Sequence, residues 1–170
     1  YLKVDNIIPE HIEALTSKLI EMGVELEIGS DYLIVNKPEN YKAVNIKTLV
    51  YPGFATDLQQ PFTVLLTQAN GKSSVIETIW ENRFMHIPEL NKMGANITVE
   101  GMEAKISGPT NLVGADVEAT DLRAGAAMVA AALKAEGTTR ISNINHILRG
   151  YENIVEKLSD VGAKIELKEI

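Results

Sequence analysis

Hydrophobic and polar positions in this chain follow two periods, and the change from one to the other is itself repeated. From Pro9 to Met22 the apolar residues Ile12, Leu15, Leu19 and Met22 share one helical face. Pro9 and Glu10 suit a first turn, and Gly23 stands where a left-handed residue closes a helix. The period then falls to two. Val24, Leu26 and Ile28 alternate with Glu25 and Glu27, the mark of a half-covered strand. Gly29-Ser30-Asp31 makes a turn, and Tyr32 to Val35 gives the return strand of a hairpin. The phrase LIEMGVELEI (Leu19 to Ile28) comes back as LNKMGANITV (Leu90 to Val99) and as LSDVGAKIEL (Leu158 to Leu167). The second copy predicts a helix around Pro88 to Met93, a cap at Gly94, and strands over Ile97 to Val99 and Glu103 to Ser107. The third predicts a helix from Tyr151 through Leu158, a cap at Gly162 and a strand over Ile165 to Leu167, and stops before a return strand.

A second phrase, Thr-Asp-Leu followed by an apolar run, opens at Thr56 and again at Thr120, and closes on Gly71 and on Gly137. Ala124 to Leu133 is almost wholly small or apolar, so this helix is expected to be buried on most sides. Strands are predicted at Ser74 to Ile79 and Thr138 to Ile141. One unit thus reads strand, helix, strand, helix, strand, strand. A unit of roughly 65–70 residues with this pattern cannot cover its own apolar face, so the copies must pack on one another.

Composition narrows the picture. At 170 residues and 45% hydrophobic content, the chain is long enough for one well-buried domain over residues 1–170. Its 16 basic and 23 acidic residues, net −7, argue against a nucleic-acid or anionic-membrane partner. No apolar run reaches bilayer-spanning length, and Tyr1-Leu2-Lys3-Val4-Asp5 does not resemble a signal peptide. The chain opens without methionine inside a hydrophobic phrase and is therefore expected to be a piece of a longer protein. Without cysteine, this segment has no disulfide, thiolate nucleophile or cysteine-bound zinc. His11, His86 and His146 are dispersed, so no metal site is expected.

The chemistry-bearing residues cluster at helix starts. Asp57 and Asp121 each follow a threonine, and a threonine or aspartate oxygen can accept the free N–H groups of a first turn. Capping is the favoured reading of Asp121. For Asp57 two readings stay open, because the Tyr51-Pro52-Gly53-Phe54 turn before it could hold the carboxylate at a cleft rim, placed to take a hydroxyl proton. Arg83 and Arg149 precede two of the glycine-capped helices, and Arg123 falls in the first turn of the second Thr-Asp-Leu helix. Cations oppose the macrodipole there. Such arginines either pair with acids such as Glu81 or Asp121 or hold an anionic ligand, and three at equivalent places favour the anion. Trp80 and Phe84 read as packing residues, though either could border a ring-shaped ligand, and His86 and His146 as surface or helix-start residues. Asn70-Gly71-Lys72-Ser73 follows a helix and lacks an upstream glycine, so it is not a phosphate loop.

Four blocks in order carry a specific resemblance: Tyr51-Pro52-Gly53-Phe54-Ala55-Thr56-Asp57-Leu58-Gln59, Glu81-Asn82-Arg83-Phe84-Met85-His86, Ala119-Thr120-Asp121-Leu122-Arg123-Ala124-Gly125 and Arg149-Gly150-Tyr151-Glu152. Together they resemble the bacterial UDP-N-acetylglucosamine 1-carboxyvinyltransferase family, the cytoplasmic enolpyruvyl transferases that begin peptidoglycan synthesis. The resemblance implies an inside-out α/β barrel of βαβαββ units around a pseudo-threefold axis. Of two such domains, the chain would be most of the one containing the C-terminus, about two and a half repeats. The partner domain, with the loop cysteine and the lysine that contacts phosphoenolpyruvate, would lie outside it, and the piece alone would be inactive. A missing strand would leave a sheet edge open to self-association.

By the same resemblance, Asp57 faces the sugar hydroxyl with Thr56 beside it, and Ile79 touches the nucleotide sugar through its backbone. Arg149 holds phosphoenolpyruvate, Arg83 and Arg123 line the same cleft, and Asp121 orients them. The implied substrates are phosphoenolpyruvate and UDP-N-acetylglucosamine, with no cofactor or metal. Trp80 stands where Phe is common, and Leu148 where an acidic residue often precedes the arginine. The related 5-enolpyruvylshikimate-3-phosphate synthases share the chemistry, and a non-catalytic relative is the competing class. The first two blocks favour the nucleotide-sugar enzyme.

Overall fold

In the computed structural model, which describes residues 1–168, the first hydrophobic phrase folds as its periods predict. A 3-10 turn over Pro9–Ile12 leads into α1 (Glu13–Glu21), with proline at the start of the turn. Gly23 follows at φ +91°, and the chain leaves the helix into the β2 (Glu25–Ile28) and β3 (Tyr32–Asn36) hairpin. A strand that no periodicity announces, β1 (Leu2–Asp5), pairs antiparallel with the other edge of β3. All four of its residues are exposed, so nothing in its side chains encodes a buried face.

The second unit is complete. Its elements are β4 (Tyr41–Lys42), β5 (Ile46–Lys47), α2 (Thr56–Leu66), β6 (Ala69–Ile76), α3 (Ile87–Lys92), β7 (Ile97–Glu100) and β8 (Glu103–Gly108). Strand β6 is central: β4 and β5 run parallel to its two ends, β8 pairs antiparallel on the other side, and β7 lies beyond β8. The register sets Val75 opposite Ala104 and Ser73 opposite Ile106, placing apolar residues of both strands on the covered face. The third unit forms β9 (Asp116–Glu118), α4 (Leu122–Lys134), β10 (Arg140–Ser142), α5 (Asn145–Leu148) and α6 (Ile154–Asp160), with β9 and β10 parallel.

Besides shifts of one to three residues at β10 and α6, the structure departs from the predicted bounds at α2, at β6 and at the C-terminal strand. Gly71, expected to close α2, instead lies in β6 opposite Gly108. The helix needs no glycine there, because the Thr67 and Gln68 amides donate to the carbonyls of its last turn and the Thr67 hydroxyl donates to Val64 O. Strand β6 accordingly starts earlier than predicted and ends at Ile76, leaving residues 77–80 outside the sheet. The strand expected at Ile165 to Leu167 does not form, since a strand needs a ladder partner and none of the described residues supplies one.

Two apolar clusters share α4. Ala127, Met128 and Ala131 belong to the main core with α2, α3 and β6, while Val129 joins Ala119 and Ile147 in a smaller cluster under α5 and α6. As predicted, α4 is buried over most of its circumference. At Gly125 it approaches α5 so closely that a Cβ would stand 2.5 Å from Ile147. Gly94, at φ +93°, closes α3 as its position in the phrase predicts, and a Cβ there would meet Asn111 O at 3.1 Å. Gly94→Val is expected to destabilise by more than ~1 kcal/mol, read as a lower urea midpoint at unchanged slope. An unshifted midpoint would refute the backbone requirement.

Candidate active site

The two Thr-Asp-Leu helices, α2 and α4, pack on one another with their starts side by side. Their two aspartates serve different ends. Asp121 is an N-cap: its Oδ1 accepts from Arg123 N at 2.7 Å and Ala124 N at 2.9 Å, as expected from the sequence. Partial burial pushes its carboxyl upward, but those two amides, the Arg83 charge and Gln60 outweigh burial and hold it below its ordinary value. Asp57 caps nothing. The N-cap of α2 is Ala55, without a side-chain bond, and the Asp57 carboxylate is about half exposed. Of the two readings the sequence left open, capping is thereby removed.

Asp57 instead receives two guanidinium groups. Arg83 Nη2 donates to Oδ1 at 3.0 Å and Arg123 Nη2 to Oδ2 at 2.7 Å. Of the partners the sequence offered, neither Glu81 nor Asp121 is the acid that Arg83 and Arg123 pair with. They meet Asp57 because α2 and α4 are neighbours and the turn before α3, with Asn82 at φ +54°, brings Arg83 to the same rim. The Asp57 hydrogen bond, ahead of a small opposing burial effect, raises Arg123 above its usual value. Each guanidinium uses one of its five N–H groups on Asp57, and Arg83 Nε is buried without a partner. A carboxylate and two under-used guanidiniums at one rim can take up a hydroxyl proton and an anion side by side.

Thr56, one residue before Asp57, turns its hydroxyl inward and donates to Glu77 Oε2 at 2.9 Å. Glu77 is 1% exposed and was not singled out in the sequence. Its Oε1 accepts from Thr48 Oγ1 (2.8 Å), Ile79 N (2.8 Å) and Trp80 N (3.1 Å). The only available signal was its place, a lone carboxylate in phase with Val75 within the strand predicted at Ser74 to Ile79. Ile79 therefore lies beside the Asp57 rim, held through its N–H. Arg149 follows α5 and is exposed; among the described residues it makes no ion pair, and it is not brought to Asp57 by any recorded contact.

One aromatic assignment changes. Trp80 is 58% exposed rather than packed, with the Arg83 guanidinium 5.9 Å from its ring, whereas Phe84 packs against the core. His86 stands at a helix start, as expected, at the N-cap position of α3, but it is only 1% exposed, with its ring enclosed beside the Arg83 backbone. His146 is half-buried within α5.

The comparisons with known proteins agree with this fold. Residues 1–158 match the family described as EPSP synthase (3-phosphoshikimate 1-carboxyvinyltransferase), and the chain belongs to that family. Within it, the chain is 60% identical over 162 residues to UDP-N-acetylglucosamine 1-carboxyvinyltransferase 2 of Geobacillus kaustophilus and 54% identical over 167 residues to that of Clostridium acetobutylicum. Those alignments cover 95% and 98% of this chain but 38% and 40% of the relatives, so the chain spans well under half of their length. The solved enolpyruvyl transferase NikO from Streptomyces tendae superposes on 97% of the chain, and on 39% of its own, with TM-score 0.87 and 31% identity. EPSP synthase from Acinetobacter baumannii superposes on 76% of the chain and 31% of its own at TM-score 0.57 and 18% identity, a likeness of fold. The mixed α/β architecture is a partial domain of the enolpyruvyl-transferase fold.

Proposed function

We propose that the whole protein containing this chain transfers the enolpyruvyl group of phosphoenolpyruvate to the 3′-hydroxyl of UDP-N-acetylglucosamine, releasing phosphate. The observation that carries the chemistry is Asp57 between Arg83 and Arg123 at the shared start of α2 and α4. The choice of sugar rests on the names of the relatives at 54–60% identity. In this reading the sugar hydroxyl gives its proton to Asp57 while its oxygen bonds to C2 of phosphoenolpyruvate and C3 takes up a proton. The tetrahedral adduct then loses phosphate from C2 and a proton from C3, giving the enol ether. Arg83, Arg123 and Arg149 balance the phosphate and carboxylate charges, and Asp121 fixes the helix turn that carries Arg123. Thr56 and the backbone of Ile79 bound the sugar.

Each Asp57 oxygen keeps a second lone pair beside its arginine hydrogen bond, so the carboxylate can take the hydroxyl proton while the free N–H groups of Arg83 and Arg123 receive the anion.

A second domain of the same polypeptide completes the cleft and supplies the cysteine and lysine, and the chain by itself is inactive. The protein acts in the cytoplasm at the first step of cell-wall synthesis, which growth and division require. Among the described residues no helix is long and apolar enough to cross a membrane, which is compatible with that location. The outer edges of β1 and β2 lack strand partners among the described residues, and self-association of the isolated piece would use one of them.

The test is phosphate release by the full-length protein with phosphoenolpyruvate and either UDP-N-acetylglucosamine or shikimate 3-phosphate. Release with the nucleotide sugar alone is expected. Release with shikimate 3-phosphate alone would keep the class and overturn the substrate, and release with neither would favour a non-catalytic relative.

A further inference from the structure

Glu77 is the most completely satisfied buried carboxylate near the rim, and nothing in the reaction uses it. It joins three segments: Thr48 after β5, Thr56 at the start of α2, and the 79–80 backbone that leaves the sheet after β6. Thr48 is itself 0% exposed, and its hydroxyl oxygen also accepts from Thr78 N at 2.8 Å, so the tether is fixed at its far end as well. Removing a carboxylate from water is costly unless its lone pairs are filled, and here four donors fill them. Ile79 and Trp80 are exposed as residues, yet both amides turn inward onto this one carboxylate, which fixes the 79–80 peptide rather than leaving it to water.

We propose that Glu77 is a positioning residue that sets the sugar-binding wall: its two oxygens couple Thr56, next to Asp57, to the peptide of Ile79. The inference rests on the transferase reading above. Oε1 consumes the Ile79 and Trp80 N–H donors, while the Ile79 carbonyl takes part in no backbone hydrogen bond among the described residues. The wall therefore offers an acceptor and selects a hydroxyl or amide donor of the sugar nucleotide. Oε2 fixes the Thr56 hydroxyl as a donor toward the interior, keeping its proton from competing for Asp57.

The two oxygens have separate signatures, which Glu77→Gln and Glu77→Ala distinguish in the full-length protein. Glutamine can leave its carbonyl at the Oε1 place and its amide against Thr56, which must then accept rather than donate. The expected result is a KM for UDP-N-acetylglucosamine near wild type with kcat reduced about tenfold. Alanine removes both tethers, and the KM for the sugar nucleotide is expected to rise about tenfold or more with that for phosphoenolpyruvate changed far less. Thr48→Val, one step farther from the rim, should reproduce part of the KM effect. Amide exchange at Ile79 and Trp80 should accelerate in Glu77→Ala and stay slow in Glu77→Gln.

A folded Glu77→Ala protein with unchanged sugar KM and slow exchange would overturn the proposal, as would equal loss toward both substrates. If the alanine variant does not fold, the glutamine and Thr48→Val results decide, and wild-type kinetics in both refute it. A wild-type protein that releases no phosphate with the sugar nucleotide would defeat the transferase reading. The exchange result would then decide whether Glu77 holds the 79–80 peptide at all: slow exchange in Glu77→Ala overturns the tether.

Discussion

Asp57→Asn in the full-length protein is expected to lower phosphate release by about a thousandfold while leaving the fold and melting temperature close to wild type. The substitution keeps the side-chain volume and removes the charge that both guanidiniums share. Two losses combine. The hydroxyl of the sugar has no base, and Arg83 and Arg123 lose their common anion, so their geometry before substrate arrives is no longer set by α2. Stability changes little because the pair is at the rim, with the Asp57 side chain 53% exposed, and exposed ion pairs contribute ~1 kcal/mol at most. Stopped-flow turnover with both substrates saturating checks it. A rate within tenfold of wild type would mean that Asp57 only holds the arginines, since the base would have to be another group.

The two outcomes differ in a second readout. If Asp57 acts only through the arginines, the KM for phosphoenolpyruvate moves and kcat does not. If it is the base, kcat falls even at saturation.

What the residues disclosed before folding, and what they hid, follow one physical division. Elements whose side chains carry a period were legible: α1, α3, α4 and the two hairpins each show their covered face in the spacing of apolar positions. Strand β1 has no covered face, and its backbone ladder with β3 leaves no mark on side-chain choice. The strand predicted at 165–167 has the right alternation but no partner among the described residues, so propensity without a ladder produced nothing. At the rim, Asp121 was legible because capping is a local bond within three residues. The pairing of Asp57 with Arg123 spans 66 positions and depends on α2 and α4 lying side by side, which no local pattern encodes. Glu77 was hidden for the same reason, as its partners at Thr48 and Thr56 become neighbours only after β5 and α2 pack around β6. The role of Arg149 rests on the resemblance alone, since the described residues leave it exposed and without an ion pair.

Acid is expected to unfold this protein through His86 before most of its carboxylates matter. The imidazole is almost wholly enclosed beside Arg83 and Asp121. Burial drives its pKa down to about 4 from an ordinary 6.5, with the Asp121 charge and the Arg83 backbone pulling the other way. The fold therefore favours the neutral ring, whereas the unfolded chain binds a proton near pH 6.5. Above that pH both states are neutral and the full stability is present. Between 6.5 and 4 only the unfolded state takes up the proton, so stability falls with falling pH; below 4 both are charged and the loss is complete, at about 3 kcal/mol. Urea melts of wild type and His86→Gln at pH 7 and 4.5 isolate this contribution, because the carboxylates titrate alike in both. The wild type should lose about 2.5 kcal/mol more than the variant over that interval. Parallel losses would show that the ring is hydrated or partnered in solution. The ring lies near the rim, because Gln60 donates to the Arg83 carbonyl at 3.0 Å and His86 starts α3 three residues on. A proton forced onto the folded ring would put a second cation against Arg83 inside the core, so the fold keeps His86 neutral and gives up that stability as the unfolded chain takes the proton instead.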